Sequence, residues 1–306
     1  MIACSGAGSA ASSADDETAR SAALSPAPDL PLLIARFGAL TLGVLLFGGA
    51  CFPLYAPWAA RAPAPTSLRI TAPATAAVAS LVWLLSLWTQ TPGATGVAGL
   101  IGFGLGAPSG QALVVAVMIC LVLVGLALAP PRPPKIRAFV AGGLLVALAC
   151  VGHASAVGGV AGLTRVAVMS LHLLFAGAWL GGLLPLALAL RAPGAETERL
   201  LRAFGRMAIG SVALLATTGL IVAAFVVSLA GGPPGPTYLT AFAVKLALVL
   251  GLGIVAGVNR WGLTPLAARH PARARRAMSW TLAIELLLAF ALLATVAELG
   301  LLDPGR

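Results

Sequence analysis

Charge is what this chain has least of: Asp, Glu, Lys and Arg together make up 9% of its 306 residues. With 59% hydrophobic residues and a mean hydropathy of +1.01, too little polar surface remains to cover a soluble core. The formal charge of +10 does not indicate nucleic-acid binding, because the 19 Lys and Arg residues sit in short clusters between apolar runs. Lysine is nearly absent, only Lys135 and Lys245, which reflects genome composition. The four cysteines, Cys4, Cys51, Cys120 and Cys150, are widely spread and form no CxxC, so a disulfide framework is unsupported. The apolar runs hold no Ser-His-Asp set and the outward loops no carboxylate pair. We therefore expect no enzymatic activity.

What is abundant is apolar sequence of spanning length. Residues 1–30 are small, polar and proline-dotted and read as a disordered tail, without the basic start and short apolar core of a signal peptide. Apolar runs then recur at roughly 31–55, 70–88, 111–129, 137–157, 165–190, 206–230, 238–259 and 277–299. Each is near the ~20 residues a bilayer requires. Backbone groups in lipid must find partners within their own segment, which makes these runs helices. The expected fold is all-α: a polytopic membrane bundle of eight transmembrane helices over residues 31–300. The outer gap 89–110 is glycine-rich and uncharged, and the pattern does not decide whether it re-enters the membrane.

Basic residues set the direction. The gaps after spans one, three, five and seven hold Arg61 and Arg69, then Arg132, Lys135 and Arg137, then Arg191, Arg199, Arg202 and Arg206, and finally Arg260, Arg269, Arg273, Arg275 and Arg276. The opposite side has Arg20, Arg36, Arg165 and Arg306. This bias predicts cytoplasmic odd gaps and both termini outside the cytoplasm. A weak echo links "RFGALTLGVLLFGG" (36–49) with "RVAVMSLHLLFAGA" (165–178), with Gly43 where the second carries His172. Two unrelated apolar helices produce such likeness readily.

The polar residues inside the spans are the candidates for function. His172 lies seven residues past Arg165, ~10 Å below the outer face, and His153, on the preceding antiparallel span, ~6 Å below it. The two imidazoles reach similar depth and can share a site. Cys150 precedes His153, and Met169 precedes His172, by three residues on one helix face. Imidazole, thiolate and thioether suit copper, with Met118 and Cys120 at comparable depth on the third span. Packing explains the cysteines and methionines equally well. Trp179, seven residues below His172, can floor the site or simply pack. Gly177, Gly181 and Gly182 form a smooth face for close helix approach. Lys245 and Glu285 fall ~10 Å and ~16 Å below the outer side, within reach of an ion pair or on a transport path. Asn259-Arg260-Trp261 reads as an interfacial anchor.

Several of these stretches resemble the copper resistance protein D (CopD/PcoD) family of bacterial integral membrane proteins. They are "GHA" (152–154), "LHLLFAGAWLGGLLPL" (171–186), "AFGRMAIGSVALLATTGLIVA" (203–223), "AVKLALVLGLGIVAGVNRW" (243–261) and "IELLLAFALLATV" (284–296), a core of about 140–300. The resemblance implies copper transport or binding in the cytoplasmic (inner) membrane, with copper supplied by a separate periplasmic carrier of the CopC type, since no such domain is fused here. The matched positions are His153, His172, Trp179, Lys245 and Glu285. Copper binding should weaken as pH falls through the histidine range, roughly 6.5 before perturbation. The competing expectation is membrane electron transfer through b-type haem ligated by His153 and His172. The third histidine, His270, lies in the cytoplasmic gap, so one haem is the maximum. Either reading allows a homo-oligomer.

Overall fold

The computed structural model describes residues 29–59, 65–151, 159–192, 196–230 and 234–302, and among these every regular element is helical. The helices are α1 (Leu30–Tyr55), α2 (Thr66–Thr89), α3 (Gly96–Gly106), α4 (Pro108–Leu128), α5 (Pro134–Ala149), α6 (Gly159–Arg191), α7 (Thr197–Ala230), α8 (Pro236–Gly257), α9 (Thr264–Arg269) and α10 (Pro271–Leu299). A π-helical turn, Val258–Leu263, joins α8 to α9. Proline stands in the first turn of α1, α4, α5, α8 and α10, where its missing N–H costs no hydrogen bond.

Seven of the described stretches are long and apolar enough to cross a membrane: α1, α2, α4, α6, α7, α10 and the run Pro236–Arg269. Their outer faces carry Leu220, Trp280 and Leu287 exposed, an arrangement suited to lipid and not to water. The fourth expected span corresponds to α5, 16 residues long and so about 24 Å. Residues 152–158, which would complete it, lie outside the described residues.

Two apolar cores share α1. The first packs α1, α2, α4 and α5 around Trp83, Leu113, Cys120 and Leu144. In the second, α1 meets α6, α7 and α10 around Leu145, Trp179, Leu183, Leu200 and Met278. α1, α2, α4 and α5 close into a ring, each packed on the next. The second set stays open: α6 packs on α7 and α8 on α10, while α7 and α8 hardly touch among the described residues.

Backbone contact at one crossing joins the two cores. A Cβ on Gly48 of α1 would meet the main chain of Gly181 and Gly182, and a Cβ on Gly181 would meet the Val44 carbonyl. A Cβ on Gly177 would lie 2.6 Å from a Leu145 methyl and 2.9 Å from the Phe47 ring. The smooth face expected on α6 therefore exists, and α1 is what it receives.

Side-chain bridges show which helix ends lie together. Arg36 near the start of α1 stacks over Trp83 of α2 at 5.2 Å and donates to the Gly300 carbonyl beyond α10 at 2.9 Å. Arg165 near the start of α6 stacks over Phe225 late in α7 at 5.4 Å. At the other end, Trp58 after α1 lies under Arg199 of α7 at 3.9 Å. Hence α1 and α6 run parallel and their neighbours antiparallel. The two arginines that open the sequence echo make equivalent bridges, each to an aromatic ring on the following long helix.

Some boundaries differ from expectation. Residues 197–205, read as a gap, form the first turns of α7. Most of 260–276 is likewise helical. Arginine forms helix well once a span leaves lipid, so charge ended the apolar run without ending the helix. The glycine-rich gap 89–110 contains α3, 11 residues long, entered through Gly93 and Gly96 at φ 77° and 63°. It packs on α4 and α2 and, at about 16 Å, is too short to span.

Candidate functional site

Gly181 pins the lower half of α6 to α1, which turns His172, more than two turns earlier, toward α7. There the imidazole Nδ1 lies 3.0 Å from the Thr218 hydroxyl oxygen. Gly219 makes the room: a Cβ at that position would stand 3.3 Å from the ring's Cε1. The Thr218 hydroxyl donates to the Leu214 carbonyl at 2.7 Å. Its single proton is thus engaged, and its oxygen receives the Nδ1 proton. An acceptor at Nδ1 assigns the proton there and leaves the lone pair on Nε2.

That is the form in which histidine binds metal, with its other nitrogen tethered by an outer partner. Loss of such a partner typically costs 10–100-fold in metal affinity. Thr218→Val keeps the shape and removes the tether. It should weaken copper binding by roughly that factor in an equilibrium titration, with the fold retained.

Lys245 of α8 lies within electrostatic reach of this imidazole. Its ammonium stands 5.9 Å from the Phe242 ring, and among the described residues no carboxylate comes within ion-pair distance of it. The Lys245–Glu285 pair is therefore not formed. Glu285 is buried on α10. Depths of ~10 Å and ~16 Å put the two charges within a lysine stem's reach, but depth says nothing about direction around a helix axis. Asn259 is correspondingly no surface anchor, since it is buried within the π turn. Trp261, 77% exposed, keeps the outward position expected of an anchor.

The remaining candidates are dispersed. Trp179 is buried in the second core against leucines, a packing position. Met169 is half-buried on α6, one turn before His172. Met118 is 57% exposed on the lipid-facing side of α4, turned away from the interior. Cys120 is fully buried in the first core, and Cys150 caps α5 and packs against that same core. Neither cysteine joins the His172 neighbourhood in α6 and α7. Among the described residues no three His, Cys, Asp or Glu side chains cluster as a metal cage. His153 lies outside the described residues, so its expected meeting with His172 is not placed. Sequence reasoning missed Thr218 and Gly219; a polar–glycine step inside an apolar helix was the available signal.

A multi-helix membrane protein with a tethered imidazole between two of its helices is the class these features define. Two models of one family match the chain: the copper resistance protein D-like N-terminal domain over residues 27–163, and copper resistance protein D over 198–299. The chain belongs to the copper resistance protein D family. It is 29% identical over 305 residues to copper resistance protein D of Pseudomonas syringae pv. tomato, covering 90% of this chain and 97% of that one. No solved structure matches. The likeness extends beyond the expected core of 140–300 into α1–α5, while His172 falls between the two matched segments.

Proposed function

We propose that this protein binds copper at His172 and passes it across the cytoplasmic membrane, taking the ion from the periplasmic side. The observation that carries this reading is an imidazole tethered through Nδ1 to Thr218 inside a helix bundle of a copper resistance family. Met169 on the same helix, and His153 on the preceding segment, are the further ligands we assign. Imidazole with thioether favours a soft ion over Mg²⁺ or Ca²⁺. The chain performs no chemistry on its cargo and is not an enzyme.

Eight spans fit the helix directions better than seven. α4 runs toward the end where Trp58 meets Arg199, and α6 begins at the opposite end, so the segment containing α5 has to cross between them. The crowded end carries Arg69, Arg137, Arg199, Arg202, Arg206 and Arg260 and is assigned to the cytoplasm, with both termini outside. A separate periplasmic carrier of the CopC type delivers the ion, and the bundle is free to self-associate.

Lys245 gives the site a transporter's character. An ammonium in electrostatic reach of a bound cation weakens binding, and an ion that must leave cannot be held too tightly. Lys245→Met should tighten copper binding by about tenfold, equivalent to about 1.4 kcal/mol, and slow release. Metal analysis of the purified protein, together with its absorption spectrum, tests the reading as a whole. Stoichiometric copper uptake without a Soret band is expected. Failure to take up copper, or a strong Soret band, overturns it.

A further inference from the structure

The arginines beyond α6 do more than orient the chain, because the fold stands three of them on one face. Arg199, Arg202 and Arg206 follow one another on α7 at three- and four-residue spacing, which places them on one side of the helix. With Glu198, and with Trp58 in the turn after α1, they line a surface cleft of about 430 Å³. Small-molecule sites occupy about 300–1,000 Å³.

The charge in this cleft is incompletely balanced. Arg199 pairs with Glu196 at 3.0 Å and Arg202 pairs with Glu198, and all four side chains are at least 36% exposed. Water screens such pairs and they hold weakly, so an incoming anion competes with them readily. Arg206 has no carboxylate within ion-pair distance among the described residues. Three guanidinium groups thus meet one lining carboxylate. Trp58, stacked under Arg199 at 3.9 Å, steadies the first of them. The planar fork of donors on each guanidinium matches a phosphate group.

Toward the membrane interior the same face of α7 turns apolar. Ile209, Ala213 and Leu220 continue the line of Arg202 and Arg206 at helical spacing, and all are exposed, Leu220 by 74%. One stripe therefore offers guanidinium groups first and bare hydrocarbon directly beneath. A free anion uses only the first part. A phospholipid matches both, with its phosphate among the arginines and an acyl chain along the stripe.

We propose that this cleft binds the headgroup phosphate of an anionic phospholipid, held by Arg202 and Arg206 with Arg199 as a third donor. The surplus of positive charge selects a headgroup of net negative charge over a zwitterionic one. Thr218, which tethers His172, follows Arg206 by twelve residues, about 18 Å along α7, so lipid and copper occupy separate positions.

Native mass spectrometry of the full chain in detergent, titrated with phosphatidylglycerol, phosphatidylcholine or inorganic phosphate, tests this. The wild type should retain phosphatidylglycerol in preference to phosphatidylcholine, and an equal concentration of inorganic phosphate should not displace it. Arg202→Gln combined with Arg206→Gln should weaken phosphatidylglycerol binding roughly 30-fold, about fivefold per arginine. Both positions are exposed and glutamine forms helix nearly as well as arginine, so the fold is retained. Arg132→Gln combined with Arg273→Gln removes the same charge from exposed positions outside the cleft and should bind as the wild type does. Equal retention of the two lipids, no greater loss in the cleft variant than in its control, or displacement by inorganic phosphate overturns the proposal. No copper enters this measurement, so its outcome is independent of the copper reading.

Discussion

Gly48→Ala should abolish the folded protein, whereas Gly49→Ala, one residue further along the same helix, should leave stability unchanged or slightly raised. The added methyl is identical, and only its direction differs. At Gly48 it runs into the main chain of Gly181 and Gly182, which has no rotamer by which to yield. At Gly49 nothing lies within 4 Å. There the substitution removes glycine's backbone entropy cost, about 0.5–1 kcal/mol in favour of alanine. Overpacking in a tight interface costs about 1–3 kcal/mol when side chains can adjust. Two backbones in contact cannot adjust separately, so α1 and α6 must part. Because α1 belongs to both cores, parting them opens both. Gly181→Ala should fail in the same way, through the Val44 carbonyl. Thermal unfolding in detergent, read by fluorescence-detected size exclusion, checks the contrast. Equal behaviour of Gly48→Ala and Gly49→Ala would refute the crossing.

His172→Ala should remove high-affinity copper binding with little effect on the fold. The imidazole is half-buried, and its bond to Thr218 joins α6 to α7, which pack along their length without it. An intramembrane hydrogen bond of this kind averages about 0.6 kcal/mol, too little to decide folding. The Nε2 lone pair, in contrast, is not replaced by Cys120 or Met118, which stand in or outside the other half of the bundle. A loss of at least about 100-fold in copper affinity is expected, near 2.7 kcal/mol. Gly219→Val should imitate it without touching a ligand, since a Cβ there already stands 3.3 Å from Cε1 and a branched side chain drives the ring off Thr218. Competition titration against a copper chelator measures both. Binding unchanged in His172→Ala would move the copper site elsewhere in the chain.

Much of the architecture was legible because lipid allows so few choices. Apolar runs near 20 residues in length must be helices, and the alternation of arginines tracked the side-chain bridges that group the helix ends. Helix ends were harder. At Arg199–Arg206 and again at 260–276, hydropathy recorded where lipid stops, whereas the backbone ladder continued. α3 escaped notice because glycine weakens the helical signal and the run is short.

At the site, depth along each span was no guide to direction around the helix axis. It set Lys245 near Glu285, but among the described residues no ion pair joins them. The π turn advances the chain by an extra residue, which carries Asn259 inward where regular spacing would leave it at the interface. Thr218 was illegible for a simpler reason. Threonine satisfies itself on a carbonyl of its own helix anywhere in a membrane, as Thr164, Thr217 and Thr295 do here, so its presence alone marks nothing.

The slot between α7 and α8 has a bearing on how such a protein is handled at the bench. Apart from its own continuation, α8 rests on α10 alone among the described residues, so the helix carrying Lys245 faces whatever amphiphile surrounds the particle. Acyl chains, detergent tails or a neighbouring subunit would each fill that slot with a different local permittivity. Copper affinities obtained in micelles and in nanodiscs should therefore diverge for the wild type and converge once Lys245 is replaced by methionine.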